Sequence, residues 1–458
     1  LFLSYPSGTV AGDPLRPSFG MSRVQEMFPS AETAVWEASA EGQLYSAEAA
    51  AHAFPLLPEG RMKEEVREIL ASRGIPVRSR AGDLFEPNVR ITVDDPSVRL
   101  SPSSLERYRG CPFSYFGTDL LRLKEKTRFR FARAEMGTLL HAVLEEYLRS
   151  HVREGKFHPP ASQEAMEAET DALFFRLLGE AGSDSGGQFL HTCRNYRKIV
   201  QAAVADLTEE FKAGGFLPKG FEVPVGRGPE GLPPLSLRTE DGRQVLMTGV
   251  IDRVDACERN GETYIRVADY KSYKQTVDLG LSEAYGLREQ MLLYLMACCR
   301  PGTEGGKKPL PAGVVYDELR LEPAELDGTE TAEERLRKEA QAFAMGRSGL
   351  LLDDEGILLE MDPGRDGRFL PNVYKKGEID HGSKHLMTAE GFQNLFRGLE
   401  NRLRETGGEI LGGRMDIDPV RIGSHDACAY CTMKYACRRG SENGNGRSGS
   451  AETGGEED

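Results

Sequence analysis

Two carboxylates stand out because each lies in a run that reads as strand. In Val245–Asp255, alternation places Val250, Asp252 and Val254 on one face, so an acid sits between apolar residues where a solvated side chain would not be placed. The run Tyr264–Lys271 does the same with Ile265, Val267, Asp269 and Lys271, and the Asn260-Gly261 turn between the runs suggests a hairpin. Two inward carboxylates on adjacent strands suit a hard cation such as Mg²⁺ or Mn²⁺, which takes oxygen ligands and keeps several waters. Lys271, two residues beyond Asp269, would lie beside such a cation. There it could orient or help deprotonate a water and balance charge on a pentacoordinate phosphate. An Asp-x-Lys standing alone on a strand would be read as a surface ion pair.

Other residues join them. Gly137-Thr138-Leu139-Leu140-His141 falls on a helix with an apolar face of Leu140, Val143, Leu144, Tyr147 and Leu148, and Gly137 precedes His141 by one turn. The missing side chain leaves room above the imidazole for a ligand or strand, and imidazole can complete a carboxylate metal site. Gln290 and Tyr294, four residues apart on a later helix, can contact phosphate or base. Of eight cysteines, Cys193, Cys257, Cys298 and Cys299 read as ordinary buried thiols. The others are Cys111, in Arg-Gly-Cys-Pro-Phe, and the spaced group Cys428, Cys431 and Cys437. In a reducing compartment this reads as a metal or cluster site, and the spacing leaves [4Fe-4S] and zinc both open. Either would tie together two points more than 300 residues apart.

The elements that must hold these groups are legible in outline. Helical patterns are expected at 47–73, 135–153, 162–180, 189–213, 281–299 and 330–345, and strands at 244–256, 262–272 and 313–319. Ser101 can cap a helix that begins at Pro102, with Ser103 and Glu106 at capping-box spacing. Residues 75–96 read as a Pro-spaced linker, with a domain boundary near Val98, and 440–458 as a disordered acidic tail. Helices flanking a small mixed sheet make an α/β (α+β) domain.

The chain carries 58 Lys plus Arg against 72 Asp plus Glu in 458 residues, a formal net charge of −14. That total argues against nonspecific polyanion binding, but partners respond to local patches. Between Ser101 and Glu135 eight basic residues face four acids, with Tyr108, Tyr115, Phe129 and Phe131 interleaved, as on a surface that tracks a phosphate backbone and stacks bases. No apolar run approaches the ~18 residues of a membrane span and no leader is evident, so a soluble cytoplasmic protein is expected.

The segments GTLLH (137–141), GVIDRVD (249–255), VADYKS (267–272), REQMLLY (288–294), and CPF with CAYCTMKYAC together resemble the RecB-like branch of PD-(D/E)xK nucleases that carry a four-Cys iron–sulfur staple. SYPSGTVAGDPLRPS near the start resembles the end of a helicase-like region. The resemblance implies a restriction-endonuclease-like core over 98–439, preceded by a helicase-like remnant and linker at 1–97. It implies His141, Asp252 and Asp269 as ligands of Mg²⁺ (or Mn²⁺), with the Tyr270 carbonyl as a fourth, and Lys271 as the catalytic lysine. Gln290 and Tyr294 would position DNA and the catalytic residues, and Cys111, Cys428, Cys431 and Cys437 would hold a structural [4Fe-4S] cluster. The implied reaction is exonucleolytic hydrolysis of DNA, on the 5′-terminated strand. It would proceed beside an AddA-like helicase-nuclease subunit, in a heterodimer that processes double-strand breaks for homologous recombination. No GxxxxGK[ST] occurs here, so ATP binding is expected of an upstream part or the partner. The competing readings are a stand-alone iron–sulfur exonuclease and a catalytically silent DNA- or partner-binding module.

Overall fold

The structure, a computed structural model, describes residues 19–28, 46–54, 57, 60–75, 89–124, 133–181, 187–228, 231–300, 307–321, 331, 343–423, 425–434, 436–437 and 447–448. The chain separates into two compact units, Leu1–Glu86 and Pro87–Asp458. Among the described residues no helix is long and apolar enough to cross a membrane.

The first unit contains α1 (Phe19–Met27), α2 (Ala47–Ala53) and α3 (Arg61–Ser72). Phe54, Leu57 and Leu70 form its small core with Ala50. The single helix expected over 47–73 is two helices. Pro55, Pro58 and Gly60 interrupt the pattern, and Gly60 flanks α3 with φ near 151°.

The second unit is built on β1 (Ser97–Leu100), α4 (Pro102–Gly110), α5 (Pro112–Tyr115), α6 (Arg133–His151), the small hairpin β2 (Val152–Arg153) and β3 (Lys156–Phe157), α7 (Gln163–Ala181) and α8 (Gly187–Ala213). There follow β4 (Leu217–Val225), β5 (Leu235–Arg238), β6 (Gln244–Met247), β7 (Gly249–Arg259), β8 (Glu262–Lys271), α9 (Leu279–Tyr285), α10 (Gln290–Cys298), β9 (Leu310–Leu321) and β10 (Phe343–Leu352). The described chain finishes with α11 (Glu355–Met361), β11 (Tyr374–Lys375), β12 (Glu378–Ile379), β13 (Leu386–Met387), α12 (Ala389–Leu411), β14 (Val420–Ile422), β15 (His425–Asp426) and β16 (Arg447–Ser448).

Six strands form the central mixed sheet in the order β13-β10-β9-β8-β7-β4. The expected hairpin is β7–β8. Its turn residues Asn260 and Gly261 both have positive φ, near 53° and 76°, the signature of a type I′ turn. Arg253 pairs with Ala268, which sets Asp252 directly across from Asp269 on one face. That face packs on α10, α11 and α12 through Ile265, Val267, Leu292, Leu358 and Leu399. The other face carries Arg253, Asp255, Arg266 and Tyr270 toward α6 and α8, where Leu140, Leu144, Tyr147, Val204 and Leu207 form a second core.

Several expected elements differ. The run 244–256 is two strands, β6 in a separate three-stranded sheet with β1 and β5, and β7 in the main sheet. The helix expected at 281–299 is α9 and α10, parted where Gly286 caps α9 in the left-handed region and Arg288 also has positive φ. The capping box of α4 is Ser101 with Ser104, each hydroxyl meeting the other's backbone N–H, and not Ser103 with Glu106. The charged helix at 330–345 lies outside the described residues, apart from Thr331 and residues 343–345, which open β10. Residues 89–96, read as linker, include Arg90 bridged to Arg414, and Met415 N donates to Val89 O at 2.8 Å. Of the tail, only β16 is described, paired with β14.

Candidate active site

At the end of β8 the sheet brings the predicted residues together. Asp269, its side chain 4% exposed, has Lys271 Nζ 2.6 Å from Oδ2 and receives the Gln290 Nε2 donor on Oδ1 at 3.4 Å. Tyr270 N donates to Asp252 Oδ2 at 3.4 Å. From α6, His141 places Nε2 2.9 Å from Tyr270 O and Nδ1 3.3 Å from Asp252 Oδ2. A carbonyl only accepts, so Nε2 carries the proton. In the neutral ring the Nδ1 lone pair then faces a carboxylate, an acceptor opposed to an acceptor, which a metal cation between them or a second ring proton would resolve.

Electrostatics point the same way. Burial first, then the charge of Asp252, push the Asp269 carboxyl up to about 6. Burial also raises Asp252, against the pull of His141 and Lys271. Burial alone would lower the Lys271 ammonium, but Asp269 and then Asp252 outweigh it and hold Lys271 above its ordinary value, charged. The donor set of carboxylates, imidazole and a backbone carbonyl fits a hard divalent cation.

Tyr294 plays a different part from Gln290. Its hydroxyl is hydrogen-bonded by the backbone of Val250, two residues before Asp252, and burial pushes it up to about 12. Its ring lies so close to β7 that a Cβ on Gly249 would meet the hydroxyl at 2.6 Å. Only glycine at 249 lets α10 lean on the strand that carries Asp252.

These groups border a cavity of about 590 Å³ lined by His141, Asp252 and Lys271 with Gly137, Thr138, Glu145, Glu222 and Tyr273. A Cβ on Gly137 would meet nothing within 4 Å, so the room above the imidazole opens into this cavity and is not filled by a strand. Among the lining residues not singled out from sequence are Tyr273 and Glu222. Tyr273, two residues past Lys271, is 57% exposed. Glu222 lies on β4 between Phe221, paired with Arg253, and Val223, paired with Ile251, hence across from Asp252. Ligand atoms of His141, Glu222 and Asp252 lie within 4.8 Å of one another. The Phe-Glu-Val-Pro-Val run carried the same signal as Asp252, an acid flanked by apolar residues in a strand. Burial, then Glu145, raise the Glu222 carboxyl.

Only part of the basic and aromatic stretch at 101–135 lies at the surface as expected: Arg122 and Lys124 are exposed, but the residues of α4 and α5 are drawn into the fold. Arg107 pairs with Asp119 and Arg109 with Glu405, while Tyr108 and Tyr115 are buried. Tyr108 spends its hydroxyl on Arg414 O at 3.0 Å. The helix needed these residues for docking on α12, so their charge and rings are consumed internally. Lys126, Arg128, Phe129, Arg130 and Phe131 lie outside the described residues.

The cysteine segments meet. Phe113 N donates to Asp416 O at 3.0 Å, and Met433 packs so tightly on Gly117 that a Cβ there would touch its sulfur at 2.5 Å. Cys431 Sγ donates to Ser114 Oγ at 3.5 Å, and burial pushes the Cys111 and Cys428 thiols up. Cys437 Sγ is directed to Lys434 O at 3.4 Å.

A mixed sheet with paired acids and a lysine at the splayed end of a hairpin is the architecture of a nuclease family. The chain belongs to the PD-(D/E)XK nuclease superfamily, whose family model matches residues 99–438. It is also similar to proteins named as the B subunits of ATP-dependent helicase/deoxyribonucleases. That of Symbiobacterium thermophilum is 31% identical over 96% of this chain and 40% of its own length. The Moorella thermoacetica protein is 31% identical over 95% and 40%, and the Clostridium acetobutylicum protein 26% identical over 96% and 40%. The chain thus spans about 40% of the relatives it matches.

Proposed function

We propose that the chain is the nuclease-bearing C-terminal portion of the B subunit of a helicase-nuclease of the AddAB type, hydrolysing DNA phosphodiesters with Mg²⁺ or Mn²⁺. The observation that carries this reading is that Asp252, Lys271 and His141 line one open cavity, with the buried Asp269 carboxylate against Lys271, in a PD-(D/E)XK fold. Asp252, Asp269, His141 and the Tyr270 carbonyl would hold the cation, which when bound supplies Lewis-acid stabilisation of charge on the phosphate. Lys271, kept charged by Asp269, sets a positive donor at the cavity wall where a phosphate would enter, matching charge that grows as phosphorus gains a fifth bond. Gln290 fixes the rotamer of Asp269, and Tyr294 fixes the strand below Asp252. The absent side chain at Gly137 leaves space beside His141 for the sugar-phosphate.

In this reading residues 1–97 end a helicase-like region, 98–439 form the nuclease domain, and an AddA-like subunit completes a cytoplasmic complex acting on single-stranded ends, 5′ to 3′, at double-strand breaks. Cys111, Cys428, Cys431 and Cys437 would hold a [4Fe-4S] cluster. The packing of the α4–α5 corner on the Cys428–Cys437 segment supports it, because a cluster there staples distant parts of the chain.

The test is cleavage of end-labelled single-stranded DNA by anaerobically purified protein, with Mg²⁺ and with EDTA, beside Asp269→Ala. Metal-dependent cleavage lost in the variant, from a brown protein, is expected. Cleavage that survives Asp269→Ala would overturn the site assignment, and a colourless zinc protein would overturn the cluster.

A further inference from the structure

Resting on the metal-dependent reading of the same cavity, we infer that Glu222 is a further ligand of the divalent cation, presented by β4 opposite Asp252. Three observations carry it. First, a ring nitrogen of His141 and single oxygens of Glu222 and Asp252 lie within 4.8 Å of one another, close enough to share one ion. Second, β4 bears a cost to present this side chain. Glu222 has φ near 47° between residues paired to β7 on both sides, a left-handed conformation in mid-strand that a residue with a Cβ adopts only under strain. Third, the charge around the cavity is unbalanced: Asp252 and Glu222 line it and Asp269 lies behind Lys271, three carboxylates against one ammonium, an excess that a divalent cation cancels.

The neighbouring acid does not compete for this role. Glu145 also lines the cavity, but its carboxylate is held by Arg149 Nη2 at 2.6 Å, one turn along α6. Glu222 forms no ion pair among the described residues; it faces the like charges of Asp252, Glu145 and Asp269, with the ring of His141 and then Arg149 pulling the other way. Two carboxylates brought together on adjacent strands repel unless something positive joins them.

Calorimetric titration of the full chain with Mn²⁺ in the absence of DNA tests the inference, for the wild type, Glu222→Gln, Glu222→Asp and Asp252→Asn, with melting in EDTA as a check of folding. The expected result is Mn²⁺ affinity at least tenfold weaker in Glu222→Gln, partly restored in Glu222→Asp, with the Mg²⁺ concentration for half-maximal cleavage shifted upward in parallel. Glu222→Gln binding Mn²⁺ as the wild type does, while Asp252→Asn loses it, would overturn the role of Glu222 and spare the metal site. Wild type and Asp252→Asn binding Mn²⁺ alike would overturn the metal-site reading itself.

Discussion

The two faces of the six-stranded sheet both bury charge, and they do so to opposite ends. Toward α6 and α8, Arg253, Arg266 and Arg347 interleave with Asp255, Asp317 and Glu210. Arg253 Nε lies 3.0 Å from Asp255, Arg266 Nη2 2.7 Å from Glu210, and Arg347 Nη2 2.9 Å from Glu210. Burial works to raise Glu210, but Arg266 and Arg347 outweigh it and hold the carboxyl at about 2. Every charge there has an opposite partner. On the face of Asp252 and Asp269, carboxylates outnumber cations, and burial with mutual repulsion pushes both carboxyls up. Paired buried charge is framework; unpaired buried charge is readiness for a ligand.

If that contrast holds, the largest stability loss comes from the framework face. Arg253→Met leaves Asp255 and Asp317 short of a partner in the interior, and about 3–5 kcal/mol should disappear from the urea unfolding free energy. A loss below 1 kcal/mol would mean that the network is not load-sharing and that the two faces do not differ as argued.

Tyr270→Phe probes the seam between the faces. Its hydroxyl accepts from Arg253 Nη1 at 2.6 Å on the framework side, while its carbonyl meets His141 on the other. Removing the hydroxyl should cost ~1.5–3 kcal/mol, the range for a hydrogen bond to a charged group. Because the carbonyl stays, cleavage should persist, measured under conditions where the variant is folded. Gly249→Ala is expected to cost ~1–3 kcal/mol by overpacking against Tyr294. It should also lower the cleavage rate, since the strand it displaces carries Asp252.

The reach of sequence reasoning follows the same division. Asp252, Asp269 and Lys271 were legible because strand alternation turns a buried acid into an anomaly, and the Asn260-Gly261 turn fixed their register. The framework charges escaped notice: Asp255 and Arg266 sit in the same strands, but their pairing across the hairpin is a tertiary fact. The break between α9 and α10 was missed because Leu281, Tyr285, Leu292 and Met296, spaced by four, seven and four, keep a helical period through Gly286, whose left-handed cap decides the matter. The basic stretch near Tyr108 misled because composition does not say whether an arginine faces solvent or Glu405. Strand β10 was hidden by a charged run just before it, and Glu222, although flanked by apolar residues as Asp252 is, has no Asp-x-Lys or His beside it to mark it.

The smallest expected effect is the most discriminating, because it concerns a sign. Asp255→Asn and Asp252→Asn make the same chemical change three residues apart on one strand, on opposite faces. Asp255 is fully buried and accepts from Arg253 and Arg266, so its neutralisation should destabilise the protein in EDTA. The Asp252 carboxyl is held above its ordinary value by burial, so ionising it costs more in the folded protein than in the unfolded chain. Asp252→Asn should therefore leave EDTA stability unchanged or raise it. Saturating Mg²⁺ should reverse the order: the wild type gains about 2.7 kcal/mol at a hundredfold excess over its Kd, while Asp252→Asn, deprived of a ligand, gains little. Equal losses from both variants in EDTA would show that the Asp252 face is framework too, and would break the comparison at its root.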